Sequence, residues 1–289
     1  MTEVEHVISV NNELGEGPLW NEKEQALYWV NITKGRFHRL YPASGKHERF
    51  EIGLPLGVLG FRASGGLVMA TQRGLAFWDL QTQTLQDIAR PEADIPNSHF
   101  NDGAVDRQGR FWAGTVVNGK EDGTLYRLDP DLSLHKMETG ISCSNGIGWS
   151  LDNRTMYYTD SPALAIYAYD FDPASGEIAN RRVQIHIPEN DGVPDGLAVD
   201  SEGFIWSARW DGWKVSRYDP QGKLEREIKV PVSLVTSCAF GGEQLDELYI
   251  TTAMTEESSE EIKRSQPWAG DVFRAHPGVK GLPAPRFGG

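Results

Sequence analysis

PDGLAVDSEGFIW (194–206) places a glycine at the head of a short apolar strand, follows it with a polar turn, and then enters a β-branched and aromatic run. The same grammar recurs in FNDGAVDRQGRFWAGT (100–115) and SNGIGWSLDNRTMYYTD (144–160). Aligned on that glycine, the copies fall at Gly17, Gly60, Gly103, Gly146 and Gly196, with Ala239 in the sixth. Their successive spacings are 43, 43, 43, 50 and 43 residues. A period of this length, repeated six times and written in short strands, is that of propeller blades, each a four-stranded antiparallel sheet. The 289 residues are therefore expected to form one all-β domain, 1–289, a six-bladed β-propeller.

Each copy supplies the remaining strands of a blade. Second strands read LYWV (27–30), LVMA (67–70), RFWAGT (110–115), MYYT (156–159), FIWSA (204–208) and LYITT (248–252), rich in the aromatic and β-branched residues that suit a pleated sheet. Turns after third strands are written YPASGK (41–46), DPASGE (172–177) and DPQGK (219–223), where proline presets φ and glycine accepts a positive φ. The last blade needs a partner for its open edge, and VEHVISV (4–10) is the expected outermost strand, closing the ring. The longer fourth interval and the polar stretch 256–266 are expected as loops at the mouth. Trp206, Trp210 and Trp213 are expected to pack between blades rather than to stack on a ligand.

The formal net charge is −13, which opposes binding to nucleic acid or an anionic membrane, since both require a basic surface. No run approaches the roughly 18 to 20 apolar residues of a membrane helix, and the N-terminal stretch has no signal-peptide pattern, so the expected location is cytoplasmic. Two cysteines, Cys143 and Cys238, provide no disulfide framework, and both are expected as reduced thiols. HExxH, GxSxG and phosphate-cradling glycine motifs are absent, which removes support for zincin, serine-hydrolase and nucleotide readings.

Inner strands of a propeller converge on its axis, so residues at one repeat position meet there. The position before the register glycine holds Glu16, Leu59, Asp102, Asn145, Asp195 and Cys238. Asp and Asn before Gly are also ordinary turn formers, but Glu16 is a poor one and shares the slot. Carboxylates crowded at an axis repel unless a cation neutralises them, and oxygen donors favour hard divalent ions such as calcium, magnesium or manganese.

Through LGEGPLW (14–20), FNDGAVDRQGRFWAGT (100–115), SNGIGWSLDNRTMYYTD (144–160), PDGLAVDSEGFIW (194–206) and FGGEQLDELYITTA (240–253), the chain resembles the SMP-30/gluconolactonase/regucalcin-like proteins. The resemblance implies six blades, one divalent cation (calcium, magnesium, manganese, zinc or ferrous iron) and hydrolysis of a sugar lactone. It implies metal ligands at Glu16, Asn145 and Asp195, with Asn101 of the NDG motif contacting substrate. Two positions depart from the pattern. His99 stands where many members carry arginine, and Gly119 stands where animal members place an acidic substrate contact. On this reading the partner is a small sugar lactone, with oligomeric state left open. Asp195 is the expected general base, and His99 a donor from the rim. Two rival readings use the same mouth: a metal-dependent esterase or phosphotriesterase-like hydrolase, and a non-catalytic calcium-binding protein of the regucalcin type.

Overall fold

The computed structural model describes residues 3–117 and 122–289. It is a six-bladed β-propeller of six four-stranded antiparallel sheets. The innermost strands, in blade order, are Gly15–Asn21, Leu56–Phe61, Ser98–Val105, Ser144–Trp149, Val193–Val199 and Val235–Gly241. Each lies against the next around the axis, and the sixth lies against the first. Every blade after the inner strand is a meander of sequential strands, except the sixth, whose outer strand is Val4–Ile8. That strand pairs antiparallel with Val272–Ala275 through Val4↔Ala275 and His6↔Phe273, as the sequence leads one to expect.

The core lies between blades rather than in one centre. Six apolar clusters form, one at each junction: Phe37, Phe61 and Trp78 between blades 1 and 2, for example, and Trp112, Trp149 and Phe171 between blades 3 and 4. Both faces of every blade are thereby covered. Second-strand tryptophans Trp29, Trp112 and Trp206 are fully buried, and each ring contributes on the order of 5 kcal/mol of hydrophobic transfer before entropy is counted. Two of them are oriented by the turn that precedes them. Asp106 accepts from the Gln108 and Arg110 amides through Oδ1 and from Trp112 Nε1 (3.0 Å) through Oδ2. Asp200 repeats the arrangement with Glu202, Phe204 and Trp206 Nε1 (2.8 Å). One buried carboxylate thus fixes both the hairpin turn and the ring behind it.

Two expectations are refined. The 256–266 stretch contains the helix Glu260–Ser265, N-capped by Ser259, whose hydroxyl accepts from the Ile262 amide at 3.2 Å. Of the three tryptophans expected between blades, Trp206 is buried there, Trp210 is half-buried, and Trp213 is exposed with φ +61. It sits in a tight turn that the strand pattern does not reveal. Cys143 and Cys238 are both free. Among the described residues no helix is long and apolar enough to cross a membrane.

Ring closure is reinforced by Asp271, which is 1% exposed. Its Oδ1 accepts from the Val10 and Asn11 amides (2.8 and 3.0 Å), and its Oδ2 lies 2.8 Å from His6 Nε2. Asp271→Ala removes the acceptor from two backbone donors and should cost about 3 kcal/mol. The expected readout is a fall in Tm of several degrees by calorimetry, with earlier proteolysis of residues before Gly15.

Candidate active site at the propeller mouth

Each of the six inner strands loses its pairing register once, within a few residues of the same height. The breaks fall at Glu16/Leu19, Leu56/Val58, Phe100/Gly103, Ser144/Ile147, Pro194/Leu197 and Val235/Ser237. A β-bulge of this kind re-aims a side chain out of the pleat. Five residues after the bulge level comes the residue that opens the hairpin turn: Asn21, Arg62, Asp106, Ser150, Asp200 and Gly241. Counting back from it gives the structural slot as Glu16, Gly57, Asn101, Asn145, Asp195 and Thr236.

This corrects the register read from glycines. Glu16, Asn145 and Asp195 keep their places, but blade 3 contributes Asn101 rather than Asp102, and blades 2 and 6 contribute Gly57 and Thr236 rather than Leu59 and Cys238. The blade 3 shift arises because Asp102 and Gly103 stand one residue nearer their turn than Asp195 and Gly196 do. Asp102 and Cys238 face a cavity of about 210 Å³ further along the channel, where Leu282 and Pro283 also line the wall. At Gly57 a Cβ would sit 2.5 Å from the Phe100 and Asn101 carbonyl oxygens, so this slot accepts no side chain. Thr236 turns its hydroxyl to the Gly15 carbonyl at 2.5 Å and ties blade 6 to blade 1.

The four remaining slot residues share one space. Asn101 Nδ2 donates to the Ser144 carbonyl at 2.8 Å and lies 3.4 Å from Asn145 Oδ1. Asn145 Nδ2 donates to Ser161 Oγ at 2.8 Å, and that hydroxyl donates to the Pro194 carbonyl at 2.7 Å. The chain of bonds fixes the Asn145 amide and links blades 3, 4 and 5 at the level of the slot. Glu16 accepts from the Gly17 amide at 2.8 Å, which holds its carboxylate against its own bulge.

Glu16, Asn145 and Asp195 are about 95% buried. Burial, the Asp195 charge and the Asp102 charge hold the Glu16 carboxyl well above the usual carboxylate range. Burial and Asp102 do the same to Asp195, and burial lifts Asp102 to about 6. Taken together the carboxylates resist full ionisation, as like charges in a dry site must. No lysine, arginine or histidine among the described residues forms an ion pair with any of the three. The donor set of two carboxylates and one amide oxygen fits a hard divalent cation, which would supply the missing positive charge. Among the described residues no three His, Cys, Asp or Glu side chains gather as a metal cage by themselves, so the amide is an essential member of any such set.

His99 is placed differently. It lies two residues before Asn101 on the same strand and pairs with Val116. Its ring lines a cavity of about 290 Å³ between blades 2 and 3. Burial holds the ring's pKa below its ordinary value, so it is neutral near pH 7. Cys143, which sequence reasoning set beside the slot, lies with Sγ 4.0 Å from both Asn101 Nδ2 and Asn145 Nδ2. Burial and the surrounding carboxylates push its thiol up to about 12, the opposite of an activated nucleophile. Ser161 went unnoticed in the sequence because it sits outside the repeat position, and only the fold brings it to Asn145. Gly119 lies outside the described residues.

Residues 14–254 match the family model described as SMP-30/Gluconolactonase/LRE-like region. The chain is 37% identical over 295 residues to regucalcin of Xenopus laevis, covering 99% of this chain and 98% of that one. It is 37% identical over 286 residues to a pentonolactonase of Haloferax volcanii, covering 97% and 96%. A solved structure described as a calcium-binding protein, regucalcin, from Agrobacterium tumefaciens superposes with TM-score 0.94 at 27% identity, covering 99% and 97%. The match of blades, ring closure and sequence over nearly the whole length places this chain in the SMP-30/gluconolactonase/LRE-like family.

Proposed function

We propose that this chain hydrolyses a sugar-acid lactone at the mouth of the propeller, with one divalent cation held by Glu16, Asn145 and Asp195. The observation that carries the reading is the burial of Glu16 and Asp195 beside one another, without a cationic side chain, at the level where Asn101 and Asn145 meet. Lactonase-named relatives of similar length support the reaction class. A cation bound there would supply Lewis acidity toward a carbonyl oxygen and charge compensation for an oxyanion.

The chain's own groups account for the rest of the reaction. Asp195 is the general base: its carboxylate takes a proton from the attacking water as the new C–O bond forms, and the proton is returned to the ring oxygen as the acyl–oxygen bond breaks. The product is the open hydroxy acid. A cation at the slot would favour the ionised form of Asp195, the form a general base requires. Asn101 Oδ1 has no hydrogen-bond donor among the described residues, so it is free to accept from a sugar hydroxyl, while its Nδ2 is anchored on Ser144. His99 contacts the substrate from the rim.

Asp195→Asn and Glu16→Gln keep the shape of the site and remove one charge each. Both variants should fold, with a metal-free Tm equal to or above that of the unaltered chain, because a like-charge repulsion is relieved. Lactone hydrolysis should fall about 10²-fold or more. The test is a pH-indicator assay over a panel of aldonolactones on chelator-stripped protein, with calcium, magnesium, manganese, zinc or ferrous ion added back singly. Turnover by Asp195→Asn without added metal contradicts the proposal.

His99→Ala should raise KM severalfold and leave kcat within about twofold, the pattern of lost uniform binding. Steady-state kinetics on the best lactone of the panel decides this, and unaltered constants remove His99 from the site.

A further inference from the structure

The mouth carries a second feature that lactone hydrolysis alone leaves unused. The cavity lined by His99 is also lined by Arg73, Arg90, Glu92, Ser98 and Thr115. Arg73 comes from the loop that follows the second strand of blade 2, and Arg90 from the segment that leads into blade 3. Arg73 Nη2 donates to Asp87 Oδ1 at 2.8 Å, and Arg90 Nη2 donates to the other oxygen of the same carboxylate. Two guanidinium groups therefore share one counter-charge.

Two lysines among the described residues contrast with this arrangement. Lys34 pairs with both Glu13 and Glu256, and Lys214 pairs with both Asp191 and Glu227. The remaining acid of the cavity, Glu92, is occupied: it accepts from Ser98 Oγ, from Thr115 Oγ1 (3.2 Å) and from Tyr126 OH (2.9 Å). Its oxygens face hydroxyls rather than the arginines, and neither arginine forms an ion pair with it. Counted with Asp87 and Glu92 the two arginines are formally balanced, so what the cavity offers an anion is the donor geometry of two guanidinium groups that lack a carboxylate each, in a chain whose formal net charge is −13. Both side chains are about half exposed, so their unused N–H groups are reachable from solvent. Guanidinium offers the planar donor fork that carboxylate, phosphate and sulfonate groups accept in pairs.

We propose that this cavity is a specificity subsite in which Arg73 and Arg90 bind a terminal anionic group of the substrate, so that the preferred lactones carry a phosphate, sulfonate or carboxylate at the end remote from the reacting carbonyl. This rests on the reading of the mouth as a lactone-hydrolysing site. His99 and Asn101, two residues apart on the innermost strand of blade 3, connect the cavity to the slot. At position 99 the cavity carries a neutral imidazole, and its guanidinium groups come from two adjacent loops.

The experiment compares kcat/KM for 6-phosphogluconolactone and gluconolactone, using the metal-loaded full-length protein. The unaltered chain should prefer the phosphorylated substrate. In Arg73→Gln and Arg90→Gln the preference ratio should fall about tenfold each, the value of one charge-assisted hydrogen bond, and 0.5 M salt should erode it in the unaltered chain. A ratio at or below one, or a ratio unmoved in the Arg73→Gln, Arg90→Gln double variant, overturns the subsite. Calorimetric titration with 6-phosphogluconate and gluconate separates this outcome from failure of the hydrolase reading. If no lactone is turned over, tighter binding of 6-phosphogluconate that disappears in the double variant still upholds the subsite, and equal binding of the two acids refutes it. Repeating the comparison with a lactone bearing a terminal carboxylate distinguishes a general anion site from a phosphate-selective one.

Discussion

Two carboxylates buried within reach of one another are the constraint around which this molecule is organised. Glu16 and Asp195 come from blades 1 and 5, remote in sequence; burial and the Asp195 charge raise the proton affinity of Glu16, and burial with the Asp102 charge raises that of Asp195. Such a pair is costly in a dry interior unless a proton or a cation compensates it. The fold tolerates the cost because it is concentrated at one point of the axis, while six interblade clusters stabilise the periphery.

The bulges are the structural means of bringing these groups together. An unbroken inner strand would send alternate side chains into the two neighbouring interblade cores. A register break in every blade interrupts that alternation, leaving Asn101, Asn145 and Asp195 unpaired and Glu16 at the last paired position before its own break. Gly57 leaves room against blade 3, and Thr236 secures the join with blade 1. The ring must be closed for the slots to face one another, and the strand Val4–Ile8 and Asp271 complete that closure. Slot geometry and chain-end pairing are thus mechanically linked, although they involve no common residue.

Charge at the rim is distributed unevenly. Lys34 and Lys214 are each held by two acids, whereas Arg73 and Arg90 share Asp87 beside an open cavity. Loops carry this difference, and loops vary without disturbing the scaffold. A fixed slot with a variable rim lets one scaffold present different surfaces at its mouth.

Sequence alone determined the number of blades, the closing strand at residues 4–10, and Glu16, Asn145 and Asp195 as members of one repeat position. Repetition is a property of chain distance, and a spacing near 43 residues survives in the letters whatever the local packing. It misassigned blade 3, because Asp102 precedes a glycine just as Asp195 does, and only the bulge shows that Asn101 is the aligned residue. It also misread Trp213, whose left-handed turn is set by the loop rather than by the strand pattern. Ser161 on Asn145, and Arg73 with Arg90 around Asp87, were beyond its reach. Those groups lie on different strands and loops, with no fixed spacing, and become neighbours only when the closed ring brings the blade ends to a common mouth.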